Sequence, residues 1–527
     1  MAINARGNKK RTCKWRVRWF YSKGAYLVLV WNLLVNFSFA TTLLFSGQFT
    51  SYLTSSPLYV SILIAIVPVC SLVISAPLSG WLADAKLGNL KVHTIGIFLI
   101  FLSTLVTCVL MLTTELFNSN GLKLSIFSVI SSLSLLGYGA FLSTSVQLGL
   151  DQMPEASSEN ISSFLNWHYF LVIASYWVVM VLFNINNKCV GEKYNLTYNQ
   201  ILSFFSVFCM SIVLISDFCL SSKCLVVEPK ATQSLKTIYQ VLKFAAKHKA
   251  PLNRSALTYW EEDIPSRLDL GKSRYGGPFT TEQVEDVKTV FRLFSLGLTT
   301  LFAYCFFTAL SISRKTIIFS SLTECESTIV FVHIGPVSFF IGMLVQEFLI
   351  YPIARGKFPG TLKRIKATYF LIVTICVLCL ILAILKYFGL VPSLSIDVIF
   401  SVSGGLLFVV FLPAELEFVC AQSPYNMRGL LVGLVYVKYA SSVFFNAVFS
   451  IVMSSACTSE YCIIIQWSVI AVLILFGFVL FVFVVRRYKL RTRDDGFVAQ
   501  QIIEEIYDRN LTAAAQLEQP RIFATMK

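Results

Sequence analysis

Twelve runs of about 20 apolar residues, split six and six by one long polar stretch, constrain this chain more than anything else in its sequence. A helix of that length rises about 1.5 Å per residue and so crosses the roughly 30 Å hydrocarbon core of a bilayer. The runs lie at 26–46, 58–82, 92–114, 123–145, 164–186 and 200–220, then at 290–313, 328–350, 367–388, 396–420, 429–453 and 463–486. With 56% hydrophobic and 13% charged residues among 527, and a mean hydropathy of +0.72, the chain carries more apolar surface than one soluble core buries. The expectation is an all-α membrane protein with five parts. These are a cytoplasmic basic N-terminus (1–25), a six-helix bundle (26–220), a cytoplasmic linker (221–289), a second six-helix bundle (290–487) and a cytoplasmic tail (488–527).

Lysine and arginine set the expected orientation, because positive loops stay on the cytoplasmic side. Lys9 to Arg18, the loop with Lys86 and Lys91, the loop from Arg355 to Lys366 and the tail from Arg486 to Arg493 fall on one face if there are twelve spans. Both termini are then cytoplasmic. The net charge of +15 reads as topology and as attraction to lipid headgroups, with no nucleic-acid partner required. The run from Tyr26 to Ser46 is too long for a signal peptide and is read as the first span. Most of the 14 cysteines lie in apolar spans; Cys457 and Cys462 flank an outward loop and could form a disulfide, as could Cys189 or Cys325. Asn195 opens a glycosylation sequon in an outward loop, whereas those at Asn160, Asn253 and Asn510 fall in the cytosol.

In the linker, Leu235, Ile238, Val241, Leu242 and Ala245 recur at helical spacing with Lys236, Lys243 and Lys247 on other faces. Two readings stand: a basic amphipathic helix on the inner leaflet, or a linker helix with a solvated face. Residues 251–278 turn polar and rich in Gly and Pro, as an irregular connection would.

Within the spans, away from their ends, Glu415, Glu417 and Lys438 stand out as ionisable. A charge in lipid costs several kcal/mol unless it faces a cavity or a partner, which makes each a candidate functional residue. Glu415 and Glu417 lie roughly 200° apart around a helix, so they cannot face one cavity together. Between the second and third spans, Gly80, Asp84, Gly88 and Lys91 mark a tight turn with an acid, bases and a glycine able to reverse the backbone. Such a loop can gate a conformational change by charge pairing.

This loop resembles the G-x-x-x-D-x-x-G-x-x-K loop of major facilitators, and more closely the "G-x-x-A-D-x-x-L-G" form of the proton-dependent oligopeptide transporter family. Further resemblances follow in order: Gly137-Tyr138-Gly139 with Asp151-Gln152, and Phe164-Leu165-Asn166-Trp167-His168-Tyr169-Phe170 in the fifth span. Val284 to Lys288 resembles the family's peptide/histidine branch. The most specific is Glu417-Phe418-Val419-Cys420-Ala421-Gln422-Ser423-Pro424, running on to Met427-Arg428, which is similar to "E-F-x-Y-x-Q-A-P-x-x-M-R". The resemblance implies the major facilitator fold, alternating access and a site between the halves.

It also implies what is missing. Where the family places "E-x-x-E-R-F" for proton coupling, this chain has Asn32, Val35 and Asn36 before Phe37; the family's fourth-span lysine and seventh-span aspartate align with Leu142 and Thr308. Losing one member of an ion-pair set favours losing the rest. By resemblance Glu417 would face the central cavity and receive a cationic group such as a peptide amino terminus; otherwise it is a structural carboxylate. Lys438, about 15 Å into the bilayer, is expected to pair with Glu417 or a substrate carboxylate, or else to snorkel. Tyr169 and Asn166 are weaker substrate-binding candidates, and His168 and His333 are read as structural or as substitute proton sites. Metal-ligand spacing, a P-loop and a nucleophile elbow are all lacking, so neither an enzyme nor a cofactor is implied.

The reading is a secondary transporter of small peptides or amino-acid-like solutes, with proton coupling weakened or rerouted. The alternatives are a proton-independent carrier of another small solute and a receptor-like relative. Without an evident sorting signal in the tail, the plasma membrane is the default location, with an endolysosomal membrane as the alternative.

Overall fold

The computed structural model describes residues 22–51, 58–113, 120–153, 158–189, 195–225, 234–248, 265–318, 324–353, 359–390, 393–456 and 461–490. Its first half comprises α1 (Lys23–Ser51), α2 (Leu58–Leu82), α3 (Asn89–Leu112), α4 (Asn120–Asp151), α5 (Ser158–Cys189) and α6 (Asn195–Cys224). A linker helix α7 (Ser234–Lys247) follows. The second half comprises α8 (Thr281–Ile318), α9 (Glu324–Val345), α10 (Thr361–Tyr387), α11 (Ser393–Gln422), α12 (Arg428–Ala456) and α13 (Tyr461–Arg487). Twelve of these, all but α7, are long and apolar enough to cross a membrane, so the chain is an integral multi-pass membrane protein.

Each half packs as its own bundle. Trp31, Phe39, Phe141 and Phe164 fill the first; Phe306, Phe307, Phe339, Phe411 and Tyr369 fill the second. Residues such as Ile74, Phe208, Phe218 and Val472 are exposed on the outside, as a lipid-facing surface requires. Pro68 and Pro77 in α2, Pro336 in α9 and Pro413 in α11 lie inside helices, where neighbouring helices can satisfy the freed carbonyls. Two wide π-helical turns interrupt the regular pitch: Ala83–Leu87 extends α2, and Gln346–Ile350 extends α9 toward Ile353. Gly88, at φ 85°, ends the first of them.

The bundles meet where α2 packs on α12, α5 on α9 and α11, and α4 on α12. Gly80 and Gly429 let α2 and α12 touch backbone to backbone, since a Cβ on Gly80 would collide with the Gly429 carbonyl. Small residues are what allow such an approach between membrane helices.

The linker helix has one packed and one exposed face. Ile238 and Val241, with Leu268 and Phe279, join Val284 and Val287 of α8, and Ala245 is buried, while Leu235 and Leu242 stay exposed beside Tyr239. The stretch expected to be irregular is ordered over 265–280. Asp269 accepts from Lys272 and from Lys288 at 2.5 Å each, and Lys272 also reaches Glu285 at 2.6 Å. Cys457 and the sequons at Asn253 and Asn510 lie outside the described residues, as do the side chains of Cys189, Cys325, Cys462, Asn195, Thr308 and His333.

Two predictions follow from this packing. Gly80→Val should destabilise the protein by about 1–3 kcal/mol, seen as a lower thermal midpoint in detergent, because the added methyls must part α2 from α12. In the linker, burial alone would raise the Asp269 carboxyl, but the Lys272 and Lys288 ammoniums hold it below the usual carboxylate range; burial would lower Lys272, but its carboxylates raise it. A depressed carboxyl contributes until pH falls through its folded value, and a raised ammonium until pH climbs through its own. Hydrogen exchange over 265–280 should therefore stay slow across the neutral range and quicken at both extremes. Asp269→Asn should quicken it at neutral pH.

Candidate functional site

The two bundles are joined near the ends that carry the 83–88 and 422–428 turns and the facing ends of α4 and α5 at Asp151 and Ser158. Asp84, buried at the end of α2, accepts from the backbone N–H of Gly429 at 3.2 Å and of Leu430 at 3.0 Å. These are amides of the first turn of α12, where unpaired donors and the helix dipole favour an anion. The loop thus holds the far bundle by its helix end. Lys91 is exposed and Lys86 lies over the Trp81 ring. Beside it Arg428 reaches Asp151 at 4.0 Å, and Asn89 donates to Asp151 at 3.0 Å.

One turn deeper, consecutive serines of α5 address two carboxylates of the other bundle. Ser162 donates to Glu417 Oε2 at 3.0 Å, and Arg364 of α10 donates to the same oxygen at 2.7 Å. Tyr351 joins them, its hydroxyl 2.9 Å from Ser162 and 3.4 Å from Arg364. Ser163 donates to Glu347 Oε1, and Asn166 donates to Glu347 Oε2 at 3.2 Å. All of these side chains are buried.

Further along, Lys438 of α12 pairs with Glu415, not with Glu417 as the sequence suggested. Its ammonium also meets Thr300 at 3.1 Å and the Tyr304 ring at 5.6 Å. Thr300 and Tyr304 complete the shell of Glu415, at 2.6 and 2.5 Å. The 200° between the two glutamates accounts for the difference: Glu415 faces α8 and α12, while Glu417 faces α5 and α10. Lys438 does not snorkel, since it is 8% exposed and held at both ends of its reach by protein.

In the first bundle the positions expected to have lost their charges form a neutral network. Asn32 donates to the His168 carbonyl at 2.9 Å, Asn36 donates to Asn32 Oδ1 at 2.8 Å, and Tyr138 donates to Asn36 at 2.5 Å. His168 Nε2 lies 3.3 Å from the Tyr436 hydroxyl of α12, and Tyr169 is within hydrogen-bonding reach of the same hydroxyl. Asn166 and Tyr169 are therefore both at the seam between bundles, though Asn166 serves Glu347 and Tyr169 serves Tyr436.

Sequence reading missed Arg364 and Glu347. Arg364 was assigned to a basic loop because the hydropathic run starts at 367, but α10 begins at Thr361 and carries the arginine inward. Glu347 lay close to the end of an apolar run, and the wide turn at 346–350 rotates it to α5. A helix-period count begun at Gly360 would have put Arg364, Thr368 and Ile372 on one face.

The sequence matches no family model and none of the curated proteins. The fold does have solved counterparts. An autoinhibited peptide transporter of the POT family superposes with a TM-score of 0.61 at 14% identity, over 90% of this chain and 100% of that one. The POT family transporter PepTSo gives 0.61 at 15%, over 89% and 99%. The proton:xylose symporter XylE, a major facilitator, gives 0.58 at 11%, over 91% and 98%. The chain accordingly has the fold of the major facilitator transporters.

The ion-pair assignment is testable by stability. Lys438→Met should cost about 3–5 kcal/mol by stranding Glu415, and adding Glu415→Gln should restore most of it. Combining Lys438→Met with Glu417→Gln should instead give additive losses in unfolding midpoint.

Proposed function

We propose that this chain is a secondary transporter, a divergent relative of the proton-dependent oligopeptide carriers, that moves a small peptide or amino-acid-like solute by alternating access. The observation that carries the reading is the chemistry of the seam. Hydrogen bonds from Ser162, Ser163 and Asn166 to Glu417 and Glu347, and from α12 amides to Asp84, close one end of the interface with contacts that water can replace. With the basic loops cytoplasmic, as the lysine and arginine pattern suggests, the closed end is the inner one. The fold likeness to peptide carriers supports the solute class.

Coupling is rerouted or lost in this reading, because Asn32, Val35 and Asn36 exchange no proton. If protons are coupled, Glu347 is the seam carboxylate suited to carry them. Glu417 cannot take a proton without stranding Arg364, whereas Glu347 is met only by the neutral donors Ser163 and Asn166 among the described residues.

Uptake of labelled dipeptide into vesicles holding the purified protein tests this. Accumulation against the gradient with acid outside supports a coupled carrier, and Glu347→Gln should then reduce uphill uptake to equilibration. Equilibration in the native protein supports an uncoupled carrier. No entry of any solute supports the receptor-like alternative and overturns the transport reading.

A further inference from the structure

Resting on the transport reading, we infer that the solute site is a tyrosine-walled hollow at Tyr439 between the bundles, and that it takes a ring-bearing solute without formal charge. Three observations converge.

First, there is a hollow. Tyr439 lies three residues beyond Tyr436, on the face of α12 that meets His168 of α5, and so points across the seam. Its phenol is within electrostatic reach of Tyr138 on α4 and Tyr176 on α5, and its ring lies 6.5 Å from Tyr304 on α8. A side chain ringed by four helices should be buried. Tyr439 is nevertheless 47% exposed, while its neighbours Tyr436 and Ala440 are buried. The accessible surface therefore opens into space between the bundles, about 16 Å of helix rise beyond Arg428 and thus near mid-membrane.

Second, the side chains around Tyr439 are aromatic and uncharged. Phe39 stacks on Tyr138 at 3.7 Å, Tyr176 stands edge-on to Phe39, and Tyr304 lies on the opposite side; Phe39, Tyr138 and Tyr304 are buried, so the ring presented to the hollow is that of Tyr439. An exposed phenol favours a flat apolar group, and its hydroxyl can exchange hydrogen bonds with amide-like polar groups.

Third, no fixed charge is left over beside these rings; Glu347, met by Ser163 and Asn166, lies toward the closed end, about 15 Å of helix rise along α5 from Tyr176. Glu415 is neutralised by Lys438 and saturated by Thr300 and Tyr304; Glu417 is held by Arg364. A free ammonium could displace Lys438 from Glu415 only by leaving a bare buried ammonium behind, and a free carboxylate faces the converse penalty. Tyrosine faces do attract cations, but the cation seated at Tyr304 is the protein's own lysine. An aromatic dipeptide with both ends blocked, or a cyclic dipeptide, meets every condition; the zwitterion does not.

The experiment uses the full-length protein in lipid nanodiscs and vesicles with four forms of one peptide, Phe-Ala. These are the zwitterion, the C-terminal amide, the N-acetyl acid and the N-acetyl amide, which share their ring and differ in end charge. Binding is read from ligand-dependent thermal midpoints and entry from vesicle uptake. The doubly blocked form is expected to bind at least tenfold more tightly than any charged form. Tyr439→Ala should remove that binding and Tyr439→Phe should keep most of it. Lys438→Met, which bares Glu415, should move the preference toward the amide that carries a free amine. Tighter binding of the zwitterion or the free amine by the native protein, with uptake intact, overturns this inference and leaves the transport reading standing. Binding of the blocked form without entry supports the site and overturns transport; absence of both binding and entry for all four forms overturns both.

Discussion

An ionised group between apolar helices must find its countercharge inside the protein, and most of this structure's polar detail can be derived from that requirement. The second bundle meets it by pairing: Glu415 with Lys438, Glu417 with Arg364. The first bundle meets it by subtraction, holding Asn32, Asn36 and Tyr138 in a neutral chain across α1 and α4. These are two solutions to one desolvation problem, and they are linked. Had α1 kept acidic or basic groups at these positions, they would have stood opposite an already neutralised partner bundle and would have needed ions of their own. The seam carboxylates Glu347 and Asp84 are satisfied by a third route, neutral N–H and O–H donors contributed from across the interface.

Much of this was legible in the sequence because it depends on one-dimensional quantities. Span number, their six-and-six grouping and the turn at Gly88 are set by hydropathy, length and a glycine requirement, and these do not depend on what packs against what. The partner of each charge was not legible. Lys438 and Glu417 were matched by depth alone, yet depth fixes only one of three coordinates. The azimuth of Glu415 sends it to α8, and the partner of Glu417 stood outside the apolar run altogether, at Arg364. Glu347 was hidden by a wide turn, since a π-helical insertion shifts every following residue around the axis and no hydropathy window registers it. In the linker, the apolar period was visible at Ile238, Val241 and Ala245, but period cannot say whether lipid or Val284 receives that face.

The composition of the closed seam bears on how it opens. A hydrogen bond typically contributes about 0.5–1.5 kcal/mol net, because water takes its place on breaking. Three such donors from α5 and two amides of α12 therefore contribute a few kcal/mol to closing that end. Apolar contacts also cross the seam, with Phe170 and Trp177 of α5 against Phe340 of α9 at 5.1 and 5.3 Å between ring centres, beside the backbone contact of Gly80 with Gly429. By contrast, Trp31, Phe141 and Phe164 within the first bundle, and Phe307, Phe411 and Tyr369 within the second, interlock fully. The polar contacts are concentrated between the bundles and the large interlocked aromatic residues within them, which is the distribution that two halves moving as rigid bodies would need.

A gradient can drive such rocking only through a group whose charge or ligation differs between the two arrangements. The pair Glu415–Lys438 lies wholly within the second bundle, on α11 and α12, and its shell of Thr300 and Tyr304 on α8 moves with it. Rigid-body motion leaves that pair unchanged, so it cannot report the state of the carrier. Glu417 and Arg364 also share a bundle, and parting from Ser162 removes one neutral donor but no charge. Glu347 and Asp84 are different, because Ser163 and Asn166, which meet the one, and the Gly429 and Leu430 amides, which meet the other, belong to the opposite half. Separation of the halves would strip both carboxylates of these contacts and hand them to solvent. Any coupling in the proposed transport cycle would therefore have to act where ligation crosses the seam, and the ion pairs of the second bundle would keep the interior neutral in either arrangement of the halves.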